Sequence, residues 1–261
     1  MLGLGSSLVY ESGLSPFNNY SLVFDGDGDY LELDNTFSQA HGGNFTWSLW
    51  VKPEDGRPSA VTTLLGSTNN RDADSFAISI VTSGKLLFNF HSDGYPDTGD
   101  TDAVIFDDGI IPTFTHICFS AEKDAGGGQT VYKLYVNGVA TDWTNITTHS
   151  VNKARHEAWD SDFNIYVGGK NSEDTLANPF SGFIDEVAIW SEALSDANVA
   201  KMYNDGVPFD LTKDNGNYDN SNTLIGYWRM EEGAGTSVED LGSLGNNGSL
   251  EGDTEFKNVV P

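Results

Sequence analysis

Two acidic stretches are the parts of this sequence best equipped for chemistry. The first is Phe180-Ser-Gly-Phe-Ile-Asp-Glu-Val-Ala-Ile-Trp190, where Asp185 and Glu186 interrupt an apolar run. A carboxylate on a core-forming segment is costly unless it is paired, hydrogen-bonded or bound to a metal. The second is Asp25-Gly-Asp-Gly-Asp29, which joins two alternating runs within Tyr20 to Asp34 and reads as a tight turn rich in carboxylates and glycine. Acid–base chemistry by paired carboxylates is not favoured by the first stretch. Adjacent residues on a strand point to opposite faces, so Asp185 and Glu186 should diverge. No Ser-His-Asp ordering, glycine-rich phosphate loop or Cys/His metal cluster is present.

The acid pair needs a strand to position it. Phe183, Asp185, Val187 and Ile189 should share one face, with Ile184, Glu186, Ala188 and Trp190 on the other. The next segment, Ser195 to Gly206, predicts a short helix. Ser195 is placed to cap it, Val199, Met202 and Tyr203 form its apolar stripe, and Gly206 can end it. Further strands are expected at Phe45 to Pro53, Val61 to Leu65, Phe76 to Val81, Leu86 to His91, Phe114 to Glu122, Thr130 to Asn137 and Leu224 to Glu231. Asn137-Gly138 begins a hairpin-type turn, and residues 92–108 form an acidic loop containing Tyr95. Many short strands, regular turns and one minor helix predict an all-β fold, a two-sheet antiparallel jelly-roll sandwich with a helix near residues 195–205.

Composition narrows the partners. The 261 residues carry 39 acidic and 13 basic side chains, a net charge of −26. Binding of nucleic acid or of an anionic membrane requires Lys and Arg for the phosphates, so both are excluded as expectations. An aromatic content of 12% argues for a packed fold rather than disorder. The lone Cys118 lies in an apolar strand pattern and is read as a buried small hydrophobe. No signal peptide or membrane-spanning stretch is expected. The organisation expected is an arm over residues 1–18, a main body over 19–206, and an extension over 207–261 that adds a strand to that body.

Five blocks, taken in order, resemble a known family. They are Phe24-Asp-Gly-Asp-Gly-Asp-Tyr-Leu-Glu, Phe45-Thr-Trp-Ser-Leu-Trp-Val-Lys-Pro, Leu134-Tyr-Val-Asn-Gly, Gly182-Phe-Ile-Asp-Glu-Val-Ala-Ile-Trp, and Leu194-Ser-Asp-Ala-Asn-Val-Ala-Lys-Met-Tyr-Asn-Asp-Gly. Together they resemble laminin G-like, concanavalin A-like jelly rolls. One departure concerns Leu224 to Leu250, which is similar to the block that usually opens such domains but lies at the end here. That order reads as a permutation, or as a strand exchanged between subunits.

The resemblance carries expectations about function. It implies that Asp185 and the turn holding Asp25 and Asp29 meet across the sheet and bind a structural Ca²⁺, a hard cation suited to carboxylate and carbonyl oxygens. It implies glycan or protein recognition, for which Tyr95, Trp143, His156 and Trp159 are the aromatic candidates. Glucanases of this fold set acids alternating along one strand, an arrangement Asp185 and Glu186 do not reproduce, so no enzyme is expected. The expected role is a calcium-stabilised surface protein of a virion (capsid decoration, tail or fibre, as in bacteriophages), with other virion proteins or its own copies as partners. The alternative is a lectin module or adhesin that recognises a host or polysaccharide glycan.

Overall fold

A computed structural model of the chain describes residues 18–35, 37, 43–68, 75–92, 95–101, 105–106, 113–123, 131–141, 143–144, 164–172 and 174–261. Its elements are β1 (Ser21–Asp25), β2 (Tyr30–Leu33), β3 (Phe45–Pro53), β4 (Thr62–Thr68), β5 (Ser75–Ile80), β6 (Leu86–Ser92) and β7 (Tyr95–Thr101). There follow β8 (Thr115–Glu122), β9 (Val131–Val136), β10 (Val139–Thr141), β11 (Trp143–Thr144), β12 (Ile165–Val167), β13 (Lys170–Ser172), β14 (Leu176–Ala177) and β15 (Ser181–Trp190). Helix α1 (Asp196–Tyr203) comes next, then β16 (Leu224–Trp228), β17 (Ser237–Val238), β18 (Gly248–Glu251) and β19 (Glu255–Lys257).

These strands form the two sheets of a jelly-roll sandwich. The first sheet has the order β10-β9-β8-β3-β15-β1-β19, with β16 also on β15. The second runs β11-β7-β6-β5-β4-β12-β2-β18-β17, and β13 and β14 attach beside β4. Pairing is antiparallel except for β13 on β4. Alternation decides the inner faces. Trp47, Leu49 and Val51 of β3 and Ile117 and Phe119 of β8 meet Phe76 and Ile78 of β5 and Ile165 and Val167 of β12 in one core.

A second, smaller core lies on the outer face of the first sheet. There Val199 and Met202 of α1 pack with Cys118, Trp190, Tyr218 and Tyr227. Cys118 is fully buried, as its sequence context predicts. The helix starts as expected, in a capping box of Ser195 and Asn198. It ends earlier than expected. Asn204, at φ 46°, caps it instead of Gly206, because a short amide side chain tolerates the left-handed conformation.

Two other expectations change. Residues 95–101 form a strand paired with β6 along its length instead of an acidic loop. The stretch beyond residue 206 supplies four strands, not one: β16 and β19 join the first sheet and β17 and β18 the second. Among the described residues no helix is long and apolar enough to cross a membrane.

Candidate functional site

Two sites lie side by side on the outer face of the first sheet. Strand β15 is paired along one edge with β3, but its other edge is shared. Strand β1 covers Ser181 to Ile184 and β16 covers Val187 to Trp190. Asp185 and Glu186 fall at the seam between them. Across the strand, β15 places one more residue than β3 between Asp185 and Ala188, a β-bulge. Glu186 sits within it at φ 49°, a region where a side chain is uncommon.

The bulge overturns the expected division of faces. Ile184, Val187 and Ile189 all enter the inner core, a spacing that strict alternation forbids. Asp185 and Glu186 are both buried outside that core, 0% and 2% exposed. Glu186 Oε1 accepts from Arg229 Nε at 3.1 Å and from its terminal nitrogen at 2.9 Å. The Tyr227 hydroxyl donates to Glu186 Oε2. Burial pushes the Glu186 carboxyl up to about 7 although Arg229 and Tyr227 oppose the shift. Asp185 has no cationic partner among the described residues. Its Oδ2 accepts from Asn18 Nδ2 at 3.0 Å and its Oδ1 from the Glu186 N–H at 2.9 Å. Desolvation, and then the charge of Glu186, hold Asp185 well above the ordinary carboxylate range.

A third acid closes the seam. Glu231 accepts the backbone N–H groups of Asn19 and Tyr20, at 2.8 and 3.1 Å, and the Asn19 amide at 2.9 Å. These donors stand where the chain enters β1 and have no strand partner at that point. The acids therefore satisfy backbone and guanidinium groups at a break in the sheet. Ser48 and His116 lie beside them, Oγ to Nε2 at 2.8 Å. The pair resembles part of a nucleophilic dyad, but burial lowers His116 to about 3. The void it shares with Glu186 measures 10 Å³, enough for about one water and no substrate.

The structure does not bring together the residues of the implied calcium clasp. Asp25 is opposite Ser181 on β15, so Asp185 lies four residues further along, roughly 13 Å at ordinary strand rise. The oxygens of Asp29 are used locally: Oδ2 accepts from the Asp25 N–H at 3.0 Å and Oδ1 from the Asp253 N–H at 2.6 Å. Asp29 is buried, and desolvation raises its carboxyl despite those two donors. Asp25 is exposed and accepts from the Asp27 N–H. Among the described residues no three His, Cys, Asp or Glu side chains converge as a metal set. The residues present do not fit a shared ion.

The two aromatic candidates among the described residues are not brought together either. Tyr95 opens β7 opposite Ser92, whereas Trp143 of β11 pairs with Thr101 at the other end of β7. They are therefore about 20 Å apart along the strand. His156 and Trp159 lie outside the described residues.

A pocket of 360 Å³ instead opens beside the acid seam. Trp50 and Lys52 of β3, Phe114, the Asn137 turn, Tyr203 at the end of α1 and the tail Val259-Val260-Pro261 line it. Trp50 is directly opposite Asp185, and Lys52 opposite Phe183. Trp50, 4% exposed, stacks under the half-buried Tyr203 with ring centres 5.7 Å apart. Phe114 meets Phe183 edge-on, and Lys52 Nζ lies 5.6 Å above the Phe183 ring. Asn137 and Gly138 both have positive φ, 50° and 75°, as a hairpin turn requires. A Cβ on Gly138 would stand 2.9 Å from Tyr203 Cβ, so glycine lets the turn approach the helix.

Sequence reading misses this pocket, although one sign of it is visible. In the alternating strand β3, the outward set Thr46, Ser48, Trp50 and Lys52 contains a tryptophan where polar residues are expected. The other walls come from residues far apart in the chain.

The fold and the sequence agree on the family. The model of the concanavalin A-like lectin/glucanases superfamily matches residues 25–200. The chain belongs to that superfamily. Among solved structures it is similar to a candidate carbohydrate-binding protein from Bacteroides ovatus, with TM-score 0.59 and 14% identity over 93% of this chain. It spans 60% of that protein's length. It also resembles the Ruminococcus gnavus IT-sialidase CBM40 bound to α2,3-sialyllactose, with TM-score 0.53 and 18% identity over 70% of this chain and 96% of that one. A third is the heptameric SAP-like pentraxin of Limulus polyphemus, with TM-score 0.53 and 13% identity over 91% and 96%. At these identities the likeness is one of fold. No curated protein matches the sequence.

Proposed function

We propose that the chain is a non-catalytic carbohydrate-binding module and that the pocket beside Trp50 and Tyr203 is its sugar site. The observation that carries this reading is the composition of the pocket. Half-buried aromatic rings (Tyr203 and Phe114) stand next to two polar ends, the Lys52 ammonium and the Asn137 amide, in a volume of 360 Å³. A sugar needs such a pairing, an apolar platform for its C–H face and polar groups for its hydroxyls. The acid seam supports the non-catalytic part. Asp185 and Glu186 are sealed and all three acids are engaged, while no Asp or Glu among the described residues lines the pocket, and glycoside hydrolysis needs two carboxylates at the bond. The carbohydrate-binding neighbours agree in fold.

A glycan array followed by calorimetry tests the reading. Binding to at least one glycan is expected, with Tyr203→Ala weakening it about tenfold or more through loss of the stacking ring. Absence of binding across the array, or full binding by Tyr203→Ala, refutes the proposal. Assembly with its own copies, as in display on a virion surface, is a second reading of the same fold; the heptameric pentraxin among the neighbours shares that fold. An ordered oligomer in size-exclusion chromatography favours it, and a monomer counts against it.

A further inference from the structure

We infer that the sugar taken by this pocket is acidic, with a carboxylate received by Lys52 and Asn137; this rests on the carbohydrate-binding reading above. The first observation is the charge of the lining. The chain has 39 acidic side chains against 13 basic ones, yet among the described residues the pocket is lined by one lysine and by no Asp or Glu. A neutral occupant would leave this lysine without a counter-charge in a concave site, where solvent compensates it less well than on open surface.

The second observation is the donor–acceptor balance. Lys52 forms no ion pair among the described residues; its ammonium is held over the Phe183 ring at 5.6 Å. That contact orients the group and leaves N–H bonds to donate. Asn137 is fixed by the neighbouring strand. Its Oδ1 accepts from the His116 N–H at 2.9 Å, and its own backbone N–H donates to the His116 carbonyl at 2.8 Å. Those bonds use the acceptor end of the amide and leave Nδ2 as its free donor. The lysine therefore presents only donors, and the asparagine presents its Nδ2 hydrogens beside an oxygen already accepting from His116. A carboxylate, an acceptor with two oxygens and a full charge, matches such a pair better than a hydroxyl, which brings a donor of its own.

The third observation concerns how firmly the donors are placed. Lys52 lies on β3 between two paired strands, β8 and β15. Gly182 of β15 crosses directly beside it, and a Cβ there would stand 2.4 Å from the Lys52 carbonyl. Asn137 sits in a two-residue turn pressed against α1. Neither donor is carried on a long loop, so little order has to be gained on binding.

Matched sugars test the inference. Glucuronic acid and glucose differ only at C6, and 3′-sialyllactose and lactose differ by one acidic residue. Calorimetric titration of the full chain should show the acidic member of each pair binding about tenfold more tightly, as one charge-assisted hydrogen bond provides. Lys52→Met should abolish the preference, bringing the ratio of the two affinities to about one. Lys52→Arg should retain the preference, which separates the charge from mere damage to the pocket. Equal affinity of the unaltered protein for both members, or a preference that survives Lys52→Met, overturns the inference and leaves the carbohydrate reading standing. A stronger response to glucose 6-sulfate than to glucuronic acid overturns the carboxylate assignment. Binding of none of these sugars, with none on the array, removes the carbohydrate reading and this inference with it.

Discussion

The acid seam and the aromatic pocket are neighbours on one sheet face, yet they are opposites. Asp185 and Trp50 face each other across β15 and β3. On the β15 side, the carboxylates of Asp185, Glu186 and Glu231 meet amide, guanidinium, hydroxyl and backbone donors, all within the chain. On the β3 side, Lys52 and Asn137 keep donors that nothing in the described chain accepts. Residues with the greatest chemical potential in the sequence are spent on closing a gap in the sheet. Residues with modest potential are left open to a ligand. Reactivity by type is a poor guide here; unsatisfied capacity is a better one.

The largest expected effect tests whether the seam is structural. Glu186→Ala removes the ion pair of the Arg229 guanidinium, which is 13% exposed. A loss of about 3–5 kcal/mol in denaturant unfolding is expected, as for other broken buried pairs. A loss below about 1 kcal/mol would mean that the seam does not hold the fold together.

An intermediate effect is expected from pH. Asp185 and Glu186 both have raised folded-state values. The folded chain thus binds protons more tightly than the unfolded one between the ordinary carboxylate range and about 7. That contribution is fully present below the unfolded value and is lost as pH rises through the folded one. Unfolding free energy should therefore fall as pH is raised through this window, and Asp185→Asn should flatten the slope. A slope identical in wild type and Asp185→Asn would detach the acid pair from it.

The smallest effect is expected at the pocket. Lys52→Met should change unfolding free energy by less than about 0.5 kcal/mol, since a half-buried side chain without an ion pair has little to lose. A large destabilisation there would erase the contrast between a closed seam and an open site.

Much of the fold is legible in the sequence. Alternation finds β3, β8 and β15, Ser195 marks the helix start, and Asn137-Gly138 marks its turn, because each depends on neighbours within a few residues. The site is less legible. A period-two reading of Ile184 to Ile189 cannot register one inserted residue, so it assigns Asp185 and Glu186 to opposite faces. Their partners, Asn18 and Arg229, come from segments flanking the seam that are distant in sequence. The resemblance gives Asp185 an ion to bind, whereas four residues of strand separate it from the Asp25 end of that turn. The pocket depends on Lys52, Asn137, Tyr203 and Val259 meeting, and no local pattern announces that.

The pairing of β1 has a kinetic consequence. Its two neighbours are β15 and β19, so Leu22 is held between Ile184 and Phe256. Nearly the whole chain lies between the first strand and its second partner. Closing so long a loop is entropically expensive before any native contact rewards it. The chain should collapse early around its sequential hairpins and reach its last shape slowly. Until β19 arrives, one edge of β1 stays open to pairing with other molecules. Aggregation during refolding should therefore depend on whether residues 255–257 are present.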